Sequence, residues 1–226
     1  MTERYALFEI ENLRDRFHLG SGVPKGVKKH YNISPTQSAP VIVSRNGSPE
    51  LELMRWGFIP EGAKDANSVF RYKTFNARSE GIFEKPTWKN AIRSSRCLLP
   101  ANGFYEWRAI KDGRQPFFIR PNDGTLCAFA GIYSSWTDPE GTKHGTFSII
   151  TTIANEEMYP FSDRMPVIVQ PDDQTDWLNL DADDTNAIHK IMRPADNNTL
   201  HIDKVSQDIN SIKIDKPQLI TPLVEA

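Results

Sequence analysis

The chain carries only two cysteines in 226 residues, Cys97 and Cys127. Two cannot make a disulfide framework, and no cysteine or histidine stands beside them at zinc-ligand spacing. Each lies in an apolar run, Cys97-Leu98-Leu99 and Leu126-Cys127-Ala128-Phe129, so both are expected to be buried, reduced thiols. The histidines, His18, His30, His144, His189 and His201, are scattered, and no metal or other cofactor is expected. Glycine-rich phosphate loops, the HExxH zinc helix and the GxSxG nucleophile elbow are missing. Nucleotide-binding, zinc-enzyme and serine-hydrolase readings therefore lack motif support. No apolar run reaches about eighteen residues, so no membrane-spanning helix is expected. Met1-Thr2-Glu3-Arg4-Tyr5 has no basic stretch leading into an apolar one, which predicts a cytoplasmic protein without a signal peptide.

What is present suffices for one sizeable core. Hydrophobic residues make up 38% and aromatics 10%, well beyond a disordered chain. The length fits one domain over 1–226 better than two. The formal charge of −2 hides an asymmetry. Residues 1–120 hold 20 Lys/Arg against 12 Asp/Glu, and residues 121–226 hold 7 against 17. A basic N-terminal half suits a polyanion such as DNA, unless the two halves interleave in space and the charges only solvate the surface.

Residues 40–44 and 51–57 flank Asn46-Gly47 and predict a β-hairpin. Further strands are expected at 97–100, 103–108, 116–119, 126–133, 146–153 and 167–169, with short helices at 11–17, 88–92, 173–178 and 185–192. Residues 60–75 read as a long exposed loop, which in a compact domain is often functional. The fold class is α+β: a curved or barrel-like, mainly antiparallel sheet with peripheral helices.

Several short segments are more specific than composition. They include Tyr31-Asn32-Ile33-Ser34-Pro35, Asn76-Ala77-Arg78-Ser79-Glu80, Pro100-Ala101-Asn102-Gly103-Phe104-Tyr105-Glu106-Trp107, Ile149-Ile150-Thr151-Thr152 and Asp163-Arg164-Met165-Pro166. In this order and spacing the chain resembles, along essentially its whole length, the SOS-response-associated peptidase (SRAP) family of abasic-site processing proteins. The resemblance implies binding of single-stranded DNA at an abasic site. It also implies a position-2 cysteine that, once Met1 is removed, closes a thiazolidine on the sugar aldehyde. An asparagine, a glutamate and a histidine assist there. Asn76 and Glu106 match the asparagine and glutamate. Thr2 stands at the cysteine position and Ser162 at the histidine position. Thiazolidine formation at Thr2 is chemically impossible.

Each residue also has a plainer reading. Periodicity alone puts Glu106 on the solvent face of an alternating strand, whereas the resemblance puts it in the site, where burial among aromatics would suit proton transfer. Asn76 could be a turn former; on an extended segment it and Arg78 would face one way. Arg4, Arg78 and Arg164 are candidate phosphate ligands, with a structural ion pair as the alternative for Arg164. Thr151 is either a DNA contact or a strand threonine, and Pro35 is expected to shape the groove wall. Phe70 and Tyr72, interleaved with Arg71 and Lys73, suit stacking on single-stranded bases. Two functions stay open: DNA binding without a stable crosslink, or Schiff-base, lyase-like or self-processing chemistry using the Thr2 amine and Glu106.

Overall fold

The structure is a computed structural model, and it describes residues 3–223. Chain order begins with strand β1 (Tyr5–Leu7), helix α1 (Leu13–Arg16), β2 (His30–Ile33), β3 (Ser38–Arg45) and β4 (Ser48–Trp56). Helix α2 (Ser68–Tyr72), β5 (Asn76–Arg78), α3 (Ala91–Ser94), β6 (Arg96–Ala101) and β7 (Gly103–Ile110) follow. Next come β8 (Gly113–Pro121), β9 (Cys127–Thr137), β10 (Lys143–Ile153) and β11 (Arg164–Pro166). Helices α4 (Gln174–Asn179) and α5 (Thr185–Ile191) precede β12 (Leu200–Lys204).

Strands β4, β3, β6, β9 and β10 close into a five-stranded barrel, because β10 pairs with both β9 and β4. The expected barrel-like sheet is thus observed. Most ladders are antiparallel, but β10 runs parallel to β4 and β5. The β3–β4 hairpin forms where the turn chemistry dictates: Asn46 and Gly47 both adopt positive φ, 51° and 80°, which matches the twist of the flanking strands.

A second sheet, β12-β8-β7-β1-β2, packs against the barrel. Tyr5 pairs with Phe104 and Ala6 with Gly103, so side chains alternate between two buried faces. Tyr5, Leu7 and Phe104 join the barrel core, where Tyr5 meets Trp56 and Phe129 edge-on at 5.4 and 5.9 Å. Ala6, Tyr105 and Phe118 face outward and are covered by Val205, Ile209 and Leu219. Gly103 makes this layering possible, since a Cβ there would lie 2.4 Å from the Ile119 carbonyl oxygen. Both cysteines are buried; burial pushes the Cys97 thiol well up and the Cys127 thiol up to about 12.

Two expectations need correction. The strand expected at 167–169 lies earlier, at β11, with Ile168 making only an isolated bridge to Phe129. The loop expected over 60–75 contains α2, because Val69 is buried in a small apolar cluster with Ile59 and Trp136. Among the described residues, no helix is long and apolar enough to cross a membrane.

Candidate functional site

Glu106 lies on β7 with Phe104 and Tyr105 and is 5% exposed. The solvent-face reading fails because the inner half of β7 is covered on both sides, by the barrel and by the C-terminal segment. The β1 ladder continues past Phe104, with the Tyr105 amide donating to the Arg4 carbonyl at 3.0 Å. This bond brings the start of the described chain alongside Tyr105, the neighbour of Glu106 on β7. Thr2 lies outside the described residues.

On the barrel side, β5 pairs in parallel with β10: Asn76 with Ile149, Ala77 with Ile150 and Arg78 with Thr151. Ala77 is buried, so Asn76 and Arg78 leave the strand on the other side, half-buried and exposed respectively. Thr151 is buried, and its hydroxyl donates to the Ala77 carbonyl at 3.4 Å. Arg164, on β11 across β10, is 6% exposed. Its two terminal nitrogens donate to the Glu80 carboxylate at 2.6 and 3.0 Å, and Nη2 also donates to the Thr151 carbonyl at 2.6 Å. The guanidinium is therefore occupied by the ion pair that was the alternative to a phosphate. Burial pushes the Glu80 carboxyl up, but the hydrogen bond from Arg164 and the charges of Arg164 and Arg78 hold it below the ordinary value.

These two groups of residues meet through a pair of rings. Phe117 pairs with Glu106 across the β7–β8 ladder and shares its face. The Phe117 ring packs edge-on against Phe161 at 4.8 Å. Ser162 follows in the turn into β11, where its hydroxyl accepts from the Arg164 amide at 3.2 Å. Glu106 and Ser162 thus belong to one seam between the second sheet and the β10–β11 edge, and Asn76 and Arg78 stand on the neighbouring strand.

Arg4 does not share that face. It is opposite Tyr105, on the outer side of the sheet, and Nη1 donates at 2.9 Å to both Asn32 Oδ1 and the Ile209 carbonyl. Burial lowers its pKa. Through Nη1, Arg4 thus clasps β2 and the C-terminal segment to the start of β1. Asn32 also donates to the Ser211 and Ile214 carbonyls, fixing the C-terminal segment to β2. Pro35 is half-buried just beyond β2, where the Thr36 amide donates to the Trp56 carbonyl at 2.8 Å. Phe70 and Tyr72 are both exposed on α2, with the Arg71 guanidinium 5.9 Å from the Tyr72 ring centre.

Sequence reasoning named Glu80 and Asn102 only as motif letters, and Phe117 only within an expected strand. Asn102 builds the corner into β7 by accepting from the Phe8 and Glu9 amides at 2.8 and 3.2 Å; its burial between two strands was the signal to seek. Among the described residues, no group of three or more His, Cys, Asp or Glu is placed to hold a metal.

The fold and sequence have clear relatives. A solved structure of a protein from Bacteroides thetaiotaomicron superposes with a TM-score of 0.87 at 26% identity, covering 98% of this chain and 99% of that one. The abasic site processing protein YoqW of Bacillus subtilis is 36% identical over 223 residues, covering 97% of this chain and 99% of its own. The abasic site processing protein HMCES of Gallus gallus is 33% identical, covering 85% of this chain and 66% of its own. The family described as SOS response associated peptidase (SRAP) matches residues 1–212, and this chain belongs to that family.

Proposed function

We propose that this chain acts in the DNA damage response by binding single-stranded DNA at abasic sites, without forming a stable thiazolidine crosslink. The observation that carries this is the seam holding a buried Glu106 beside the start of the described chain, with exposed Arg78 on the adjacent strand. Arg78 is the cation open to a phosphate, Asn76 and Thr151 flank it, and Phe70 and Tyr72 offer rings to bases. The names of the relatives support the abasic site as target.

A second reading is supported by the same ladder. With Met1 removed, the Thr2 amine would attack the sugar aldehyde carbon, giving a carbinolamine. Loss of water, with Glu106 moving the protons, leaves an imine. The Thr2 hydroxyl could then add to give only a labile oxazolidine, since oxygen replaces the sulfur of a cysteine. Incubating the protein with intact and abasic single strands, with and without borohydride, tests both readings. Expected are retarded complexes under native conditions, a denaturation-stable band only with borohydride, and none without it. A band surviving heat without reductant refutes the absence of a stable crosslink, and no complex at low salt refutes DNA binding.

A further inference from the structure

The connection between β4 and β5 holds a pocket apart from the Glu106 seam. Its volume is about 350 Å3, and its walls include Lys64, Asp65, Arg71, Tyr72, Thr74 and Thr87. Both sides are fastened to one small core. Val69 of α2 is buried with Ile59 and Trp136, and the Trp136 indole donates to the Ala63 carbonyl at 2.8 Å. Gly57 admits the helix, since a Cβ there would lie 2.8 Å from Val69 Cγ1. The pocket is therefore pre-formed rather than a gap under a slack loop.

Its chemistry is mixed in a particular way. The chain leaves α2 through Lys73 in the left-handed region, φ 49°, a conformation lysine rarely adopts. That turn leaves Tyr72 67% exposed at the rim and buries Thr74, whose Oγ1 has no hydrogen-bond partner. Buried polar groups without partners are exceptions that call for a functional reason. A ring, two hydroxyls, two cations and the acceptor carboxylate of Asp65 suit an aromatic heterocycle whose edge carries both donors and acceptors, on a phosphate chain. A purely apolar ligand would leave the cations unmet, and a bare phosphate would not use the ring.

We propose that this pocket takes one nucleobase of the bound strand, splayed from the stack, its face on Tyr72 and its edge toward Thr74 and Thr87. This rests on the DNA-binding reading, and β5, which carries Asn76 and Arg78, begins four residues after Tyr72. The test uses abasic single strands in which a second, base-less position is walked one nucleotide at a time on either side, with affinity read by fluorescence anisotropy. One position is expected where removing the base weakens binding about tenfold, within the usual scale for one stacked base. Tyr72→Ala, at an exposed site with folding checked by circular dichroism, should itself weaken binding of the strand with all its other bases by about tenfold and abolish that difference. Equal affinity along the walk, or a difference that survives Tyr72→Ala, overturns the pocket and leaves DNA binding standing. Absence of binding to every strand overturns both.

Discussion

A carboxyl that is 5% exposed on an aromatic strand is costly unless the surroundings use it. Glu106 is the residue to test first. Glu106→Gln keeps the shape and removes the proton carrier. The rate of borohydride-trapped imine formation should fall by about 10²-fold or more, the usual scale of general acid–base assistance, with DNA affinity within about twofold. An unchanged trapping rate would remove Glu106 from the chemistry. The reverse experiment restores the family's groups. Thr2→Cys with Met1 removed should crosslink slowly to abasic DNA, and adding Ser162→His should raise that rate by about 10²-fold, read on denaturing gels. No adduct from the double variant, despite retained binding, would mean that the pocket has drifted beyond two substitutions. Arg164 marks the limit of residue-level reading. In the sequence an arginine of the acidic half reads as a phosphate ligand or as half of an ion pair, because its partner Glu80 lies 84 positions away and only the β5–β10–β11 pairing brings them together.

Among the elements, β7 has the least freedom. Gly103→Ala would drive a methyl to 2.4 Å from the Ile119 carbonyl, so β7 and β8 must separate; a loss of about 3 kcal/mol is expected by chemical denaturation, at the upper end for overpacking. The β5–β10–β11 edge should show acid sensitivity. Glu80 has its folded pKa held below the ordinary 4.5, so its stabilisation is complete above the unfolded value and is lost as pH falls through the folded one. Glu80 is half-exposed, so the effect is at most about 1 kcal/mol. Melting temperature should drop below about pH 4.5, and by less in Glu80→Gln; an identical drop would place the acid response elsewhere. Strands with their own local signal were legible: the β3–β4 hairpin from Asn46-Gly47, and β9 and β10 from apolar β-branched runs. The short strands β1, β2, β5 and β12 were not, since three to five residues carry little periodicity. Their existence depends on partners far along the chain, such as β12 on β8.

At the scale of the whole molecule, the charge split between halves of the sequence does not become two faces. Strands from both halves share both sheets, and polar contacts join them: ion pairs of Arg164 with Glu80 and Arg120 with Asp203, and a hydrogen bond between His30 and Asp215. The DNA-binding reading therefore rests on particular exposed cations and not on the charge of a sequence half. Those exposed near the seam and α2 are Lys64, Arg71, Lys73 and Arg78. Each phosphate neutralised on a single strand contributes about −0.7 to the slope of log affinity against log salt. Four contacts give a slope of about −3, and Arg78→Ala should shift it toward zero by about 0.7 while weakening all sequences alike. Anisotropy titrations from about 50 to 200 mM salt measure this directly. A slope steeper than about −4 would require more cations than this seam offers, and would move the DNA path onto another surface.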